Sequence, residues 1–307
     1  MSKRVICIVG PTATGKSELA EDVALSLCGE IVSVDSMQVY RGMDIGTAKV
    51  PLEQRRCPLH MVDLVDVCED YSVACFQRDA RHCIDMLVAE RRTPVLCGGT
   101  GLYLDAVIDE MSFPKGETSG ASRSPYEELA RDKGPQVLHE LLKARDPQSA
   151  EIIHPNNVRR VVRALEMLDQ GTSYATHHEG LLKRDAHYDA SIWALVYPRE
   201  ILYERINRRV DQMFEQGLVD EVHTLLGKGI LDSATARQAI GYKEVIAYIK
   251  GEIDLPTARE LIKRNTRRFA KRQLSWIKRD GRARYIDLSK VDKREAKEAI
   301  CEDWRAS

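Results

Sequence analysis

The 307-residue chain contains no apolar run approaching the ~20 residues that a membrane-spanning helix requires. Its opening run, Val5 to Val9, ends at Gly10-Pro11 and is too short for a signal-peptide core. Neither a leader nor a span is therefore expected. No C-x-x-C occurs among the eight cysteines, at 7, 28, 57, 68, 75, 83, 97 and 301, so neither a zinc site nor a disulfide framework is signalled. A dominant charge sign is missing as well: the net charge is −1, with 43% hydrophobic and 30% charged residues. That balance excludes collagenous, mucin-like and wholly disordered classes. No internal repeat or heptad array is evident. The expectation is a soluble, reduced, cytoplasmic protein of about two domains, or one core with an insertion. At this length about 75% of the unfolded surface is buried without help from disulfides or metals.

The near-zero net charge hides an asymmetry. Residues 1–112 carry 11 Lys/Arg against 17 Asp/Glu (11 − 17 = −6), residues 113–190 carry 11 against 12 (−1), and residues 191–307 carry 24 against 18 (+6). Either the C-terminal part faces a polyanion or one half merely complements the other. Charge alone does not separate the two.

The first 110 residues or so alternate β-branched apolar runs with helical patterns, the mark of a parallel sheet covered by helices. Arg4–Val9, Glu30–Val34 and Pro94–Cys97 read as strands, Ser17–Leu27 and Ser72–Glu90 as helices. Further strands are expected much later, at Ile192–Val196 and Arg284–Leu288. The strand-poor middle opens with the Gly/Ser-rich Lys115–Ser124 and turns helical at Tyr126–Lys133, Pro135–Arg145 and Pro155–Gln170, with Gly171–Thr176 as a return loop. The expected architecture is an α/β P-loop core, a parallel sheet flanked by helices, plus a helical insertion domain. Its parts are a core segment at 1–112, the insertion at 113–190 and the rest of the core with basic helices at 191–307.

Gly10-Pro11-Thr12-Ala13-Thr14-Gly15-Lys16-Ser17 matches G-x-x-x-x-G-K-[ST] between a strand and a helix. Such a loop wraps an anion with backbone N–H groups; Lys16 adds a point charge, the helix dipole helps, and Ser17 can hold Mg²⁺. The motif indicates a polyphosphate or diphosphate, not ATP in particular. The third strand ends in Cys97-Gly98-Gly99-Thr100 without the second Mg²⁺ carboxylate of ordinary P-loop NTPases, and no N-K-x-D marks a guanine site. The second strand instead delivers Asp35. Parallel strand ends open onto one edge, so Asp35 is placed to act as a base beside the phosphates, although an Asp capping the turn fits the same spacing. Thr100 could donate a hydroxyl there or make a turn.

Lys263–Arg284 holds ten Lys/Arg and one acid, Asp280. At helical spacing Ile262, Phe269 and Trp276 fall within about 40° of one another, with the basic positions opposite. One face is expected to dock on the core and the other to form a cationic strip suited to nucleic acid. Arg159, Arg160 and Arg163 lie on an expected insertion helix, as phosphate grips or as a solvated face. His177-His178-Glu179 points in divergent directions and is not read as a metal site. His60 and Asp63 read as a local hydrogen-bonded turn.

Several segments together resemble the tRNA dimethylallyltransferase (isopentenyltransferase) family over nearly the whole chain. They are GPTATGKS at 10–17, DSMQVYRGMDIGTAK at 35–49, HMVD at 60–63, YSVACF at 71–76, GGTGLYL at 98–104, IHPNNVRRVVRALE at 153–166, QAIGYKE at 238–244 and AKRQLSWIK at 270–278. The resemblance implies that the P-loop binds the diphosphate of dimethylallyl diphosphate, with Mg²⁺ as cofactor. The acceptor it implies is N6 of the adenosine 3′ of the anticodon in tRNA. It makes Asp35 the general base, with Thr100 and Arg205 at the diphosphate and reaction centre. It assigns tRNA contacts to Asp35, Ser36, Met37, Gln38, Thr100, Arg123, Arg159, Arg160, Val161, Val162, Arg163, Gln238, Gly241, Lys243, Lys271, Arg272, Gln273, Trp276 and Lys278. The Gly/Ser-rich lead-in to Arg123 departs from the family's usual Pro/Asp-rich pattern. Neither a membrane nor an obligate protein partner is expected. Two rivals share part of the pattern: a P-loop kinase of a small metabolite or nucleoside, which would not need the basic helix, and a non-catalytic RNA-binding protein with a relic P-loop.

Overall fold

The computed structural model describes residues 3–113, 124–182 and 185–306. They form two compact units, Met1–Ile108 with His187–Ser307, and Asp109–Ala186. In chain order the first unit begins with β1 (Arg4–Val9), α1 (Lys16–Ser26), β2 (Gly29–Val34), β3 (Leu59–His60), α2 (Val73–Ala89), β4 (Thr93–Gly98) and α3 (Gly101–Ile108). The second unit contributes α4 (Ser124–Lys133), α5 (Pro135–Arg145), α6 (Pro147–Ile152), α7 (Val158–Asp169) and α8 (Tyr174–Leu182). The chain then returns through β5 (Asp189–Val196), α9 (Arg199–Glu215), α10 (Leu218–Gly227), α11 (Tyr242–Ile249), α12 (Leu255–Ile277), β6 (Arg284–Asp287) and α13 (Lys293–Ala306). Among the described residues no helix is long and apolar enough to cross a membrane.

The six strands are all parallel, in the order β3-β2-β4-β1-β5-β6. Strands buried on both faces need apolar residues at every position, which is why Val5 to Val9 is an unbroken run. Period-two alternation sends Ile6 and Ile8 to one face, where Leu19, Ala20, Val23 and Ala24 of α1 and Ile300 of α13 cover them. Val5, Cys7 and Val9 face the opposite way, into a larger core with Phe76 and Ile84 of α2, Val107 of α3 and Tyr242 of α11. β3, a two-residue edge strand, has too little pattern to be read from sequence.

The second unit has its own core of Leu138, Leu142, Ile153, Val161, Val162 and Leu165. It is entered after Ile108 and left before His187, not at 113 and 190. The pairing Asp109↔Ala186 closes its neck, and Tyr188 is already buried in the sheet unit, donating its hydroxyl to Asp85 at 2.9 Å. Two readings of the middle need correction. Gly171 makes the turn at positive φ, but the supposed return loop gives way to α8 from Tyr174. α6 is an extra helix, started by Pro147 behind Asp146, whose carboxylate accepts from Ser149 N–H at 3.1 Å. His60 and Asp63 do not bond each other either: His60 Nε2 pairs with Glu30 at 2.7 Å and Asp63 with Lys49 at 2.6 Å.

Gly98 stands in register with Val34 on one side and Val9 on the other. A Cβ there would lie 2.0 Å from the Val34 carbonyl oxygen. Gly98→Ala should therefore destabilise the protein by about 1–3 kcal/mol or more, as overpacking against backbone does. Urea unfolding would check it, and a loss below 0.5 kcal/mol, about the size of a neutral surface change, would contradict this packing.

Candidate active site

Three adjacent strands end level, β2 at Val34, β4 at Gly98 and β1 at Val9, and deliver Asp35, Gly99-Thr100 and the Gly10–Ser17 loop to one edge of the sheet. That is where open parallel sheets bind ligands. The loop is tightly wound. Gly15 caps α1 at φ 87° in the left-handed region and Ala13 sits at φ 65°. Thr14 is fully buried and donates its hydroxyl to the Pro11 carbonyl at 2.9 Å.

Half-buried Lys16 donates Nζ to the Pro11 carbonyl at 3.4 Å; desolvation pushes its pKa below the ordinary lysine value, while Cys97 and Asp35 act in the opposite direction. Cys97, buried at the end of β4 beside Ser17, has its thiol pushed up to about 11 by burial. The Asp35 carboxylate has one oxygen committed: Oδ1 accepts from Met37 N–H at 2.8 Å and Gln38 N–H at 3.4 Å. Asp35 thus caps its turn and also lies within electrostatic reach of Lys16. Thr100 Oγ1 accepts from Ser36 N–H at 3.2 Å, joining the β4 exit to the β2 exit. Arg205 of α9 donates Nε–H to the Ala13 carbonyl at 2.8 Å, and its guanidinium lies over Tyr197, 4.8 Å from the ring centroid.

One cation of this site escapes sequence reading. Arg209, one helical turn after Arg205, is enclosed; desolvation lowers its pKa and the nearby Asp35 carboxylate opposes that. Its Nε has no hydrogen-bond partner among the described residues. Leaving a buried guanidinium donor without a protein acceptor is costly, which makes Arg209 a candidate for contact with an anion. The i, i+4 spacing from Arg205 was the available signal.

The segment carrying Asp35 is braced from behind. Glu221 of α10 accepts from the amides of Asp44, Ile45 and Gly46 at 3.1, 2.7 and 3.3 Å, and from the Tyr242 hydroxyl at 2.6 Å. Buried Lys49 donates to Asp44, Asp63 and the Tyr40 carbonyl. Gln38 is held within the fold: Ser33 Oγ donates to its Oε1 at 2.8 Å, and its Nε2 donates to the Thr47 carbonyl at 3.2 Å.

The basic helix α12 turns out differently from its expected seam. Its buried positions are Ala258, Ile262, Ala270, Gln273 and Ile277; Phe269 and Trp276 are only half-buried. Small Ala270 packs against Leu202 and Ile206 of α9, a close approach that a search for large apolar residues overlooks. Trp276 donates Nε1–H to Asp105 at 3.0 Å instead of filling the core. Lys263 and Arg267 also leave the cationic strip, bonded to Asp211 at 2.9 Å and to Asn207 at 2.5 Å. Arg282 pairs with Asp280, and Arg284, at the start of β6, pairs with Asp303. Arg264, Arg268, Lys271, Arg272, Lys278 and Arg279 remain exposed, as does Gln238, with Lys243 half-exposed.

Other assigned contacts face inward. Gln273 is 6% exposed, and Gly241 is buried as the N-cap of α11. On α7, Val161 and Val162 point into the core of their own unit because helical periodicity leaves Arg159 and Arg160 outward, with Arg163 half-buried. Arg123 lies outside the described residues.

A sequence profile described as IPP transferase matches residues 38–280, and one described as isopentenyl transferase matches residues 3–55. The chain is 46% identical over 292 residues to a tRNA dimethylallyltransferase of Carboxydothermus hydrogenoformans, 94% of each chain being covered. Its fold is similar to the crystal structure of a full-length tRNA isopentenylpyrophosphate transferase from Bacillus halodurans, at a TM-score of 0.73 and 41% identity over 100% of this chain and 96% of the other. It is likewise similar to a eukaryotic dimethylallyltransferase caught acting on tRNA, at a TM-score of 0.80 and 29% identity over 99% of this chain and 80% of that one. With that profile spanning most of its length and that relative matching it nearly end to end, the chain belongs to the tRNA dimethylallyltransferase (IPP transferase) family.

Proposed function

We propose that the protein transfers the dimethylallyl group of dimethylallyl diphosphate to N6 of the adenosine 3′ of the anticodon in tRNA. The observation that carries this reading is the level ending of β1, β2 and β4, which sets Asp35 beside the P-loop with half-buried Lys16 and Arg209 in electrostatic reach. A cationic pocket suits a diphosphate, and a carboxylate at its rim suits removal of a proton. N6 of adenine attacks the C1 carbon of the dimethylallyl group, forming the N–C bond as the C1–O bond to diphosphate breaks. The N6 proton passes to Asp35, and the electron pair of the broken bond leaves with the diphosphate. A positioned base of this kind contributes about 10²–10⁴ in rate. Loop amides, Lys16, Arg205 and Arg209 meet the charge that builds on the leaving group.

The donor set suits Mg²⁺. Among the described residues no group of three or more His, Cys, Asp or Glu forms a metal cage. Ser17, exposed on the first turn of α1, offers a single hard oxygen. A cation that binds through one or two protein oxygens and completes its shell with substrate phosphates and water matches that supply. Held by Ser17 and the diphosphate, Mg²⁺ would neutralise negative charge on the leaving group.

An adenine within a folded stem-loop must be splayed out to reach such a pocket. The outer face of α12, with Arg268, Lys271, Arg272 and Lys278, is the surface proposed to hold the surrounding phosphates, aided by Gln238 and Lys243. Arg159, Arg160 and Arg163 form the corresponding surface of the helical unit. A small-molecule kinase is not favoured, since the relatives across the whole length are transferases named for tRNA.

Incubation with labelled dimethylallyl diphosphate and unmodified tRNA should label the RNA, whereas an ATP control should show no stoichiometric phosphate release. Asp35→Asn should cut turnover by about 10²–10⁴ with both substrates still bound. Single-turnover assays retaining more than about a third of the wild-type rate would remove Asp35 from the mechanism. The double variant Lys271→Ala, Arg272→Ala should bind tRNA more weakly. Each lost phosphate contact should flatten the slope of log K against log salt by roughly 0.7 to 0.9, while the KM for dimethylallyl diphosphate stays unchanged. Filter binding with wild-type affinity and slope would make the strip a solvated surface.

A further inference from the structure

Gln273 is an uncharged side chain within the most basic stretch of the chain, and it faces the opposite way from Lys271 and Arg272. Its amide is fully engaged at both ends: Oε1 accepts from Thr12 N–H at 3.0 Å, and Nε2 donates to the Gly99 carbonyl at 2.9 Å. Glycine at 99 is what lets the amide in, since a Cβ there would lie 2.2 Å from Nε2 and 3.0 Å from the Gly10 carbonyl. One turn further on, Trp276 covers Gly101, where a Cβ would stand 2.1 Å from the indole. The inner face of α12 therefore holds both sides of Thr100, whose hydroxyl in turn accepts from Ser36 next to Asp35. The same face holds the entry of the P-loop.

The bond to Thr12 has a chemical consequence. A P-loop binds an anion through backbone N–H groups whose directions must be set before the anion arrives. Here the Thr12 N–H is already taken by a side chain from a helix 261 residues away in sequence. Gln273 thus does not share in anion binding; it fixes the start of the loop so that the amides further along, up to the N-terminus of α1, stay aligned. Charge at this position would defeat the purpose. A Lys or Arg has no acceptor for Thr12, and a carboxylate has no donor for Gly99.

We propose that Gln273 is a positioning residue for the diphosphate donor and not a tRNA contact. It ties the P-loop and the Thr100 turn to the inner face of the helix whose outer face meets tRNA. The inference rests on the transferase reading above. Through Gln273 the donor site and the acceptor-binding helix share one rigid body, so the loop's alignment depends on a side chain that neither substrate touches.

The test compares Gln273→Met, which keeps length and volume but makes neither bond, with Gln273→Asn, which is too short to span both partners. In steady state the KM for dimethylallyl diphosphate and the inhibition constant for inorganic diphosphate should both rise about tenfold, the scale of one or two buried bonds lost. The kcat should change much less, and the Kd for tRNA and its salt slope should match wild type. A loss of tRNA affinity with the donor KM unchanged would overturn the proposal in favour of a tRNA contact, and so would no change in either constant. If the methionine variant does not fold, the asparagine variant read in the same way decides. Should wild-type protein fail to label tRNA at all, the transferase reading falls by itself, and that outcome is distinguishable because it precedes any comparison of variants.

Discussion

The level ending of three neighbouring parallel strands is the constraint on which the rest of the molecule depends. Val34, Gly98 and Val9 lie side by side, so each strand's next residues emerge at one edge within reach of the others. The P-loop supplies amides and a lysine, the β2 exit supplies a carboxylate, and the β4 exit supplies a hydroxyl. Glycine at 98 and 99 permits the approach: side chains there would meet the Val34 and Gly10 carbonyls at 2.0 and 3.0 Å. A slip of one residue in β4 would replace the Thr100 bond to Ser36 with a misaligned turn and turn the β4 side chains to the wrong faces.

Around that edge the later helices act as a scaffold with two tasks. α10 and α11 grip the segment after β2 through Glu221 and Tyr242, and α9 and α12 enclose the P-loop through Arg205 and Gln273. The glutamate at 221 accepts three consecutive amides and a phenol, a dense use of one carboxylate that replaces the regular hydrogen bonding the loop lacks. Burial, with Glu221 beside it, pushes the Tyr242 phenol well above its ordinary pKa, so it stays a donor. The Glu221 contacts to the loop bridge 175 to 177 residues of sequence, and they explain how a loop of irregular backbone can present Asp35 in a fixed direction.

Features encoded locally were legible, and features made by tertiary approach were not. The P-loop, the strand ends and Asp35 follow from short patterns whose geometry is local: a strand, two glycines, a helix start. The insertion was visible through its lack of strands, although α6 and α8 were missed because neither is long enough to show a period. Arg209 was one arginine among several on α9, and only the fold tells which of them is enclosed. The seam of α12 was misplaced by weighting Phe269 and Trp276 over Ala270 and Gln273. Periodicity rewards large apolar residues, yet the buried face of α12 here uses a methyl group against α9 and an amide against the P-loop. The ten basic residues were likewise overcounted as a strip, because Lys263, Arg267, Arg282 and Arg284 are engaged by acids or amides that other elements, or a neighbouring residue, supply.

The electrostatics of the site suit the anion proposed to bind there. Lys16 and Arg209 are both half-buried, and desolvation lowers the pKa of each. Asp35 opposes the shift at both, but one carboxylate cannot satisfy two enclosed cations and also hold its own turn through Oδ1. A bound diphosphate would bring negative charge and strong acceptor oxygens to the same place, restoring the cations toward their ordinary affinity for protons and giving Arg209 Nε an acceptor.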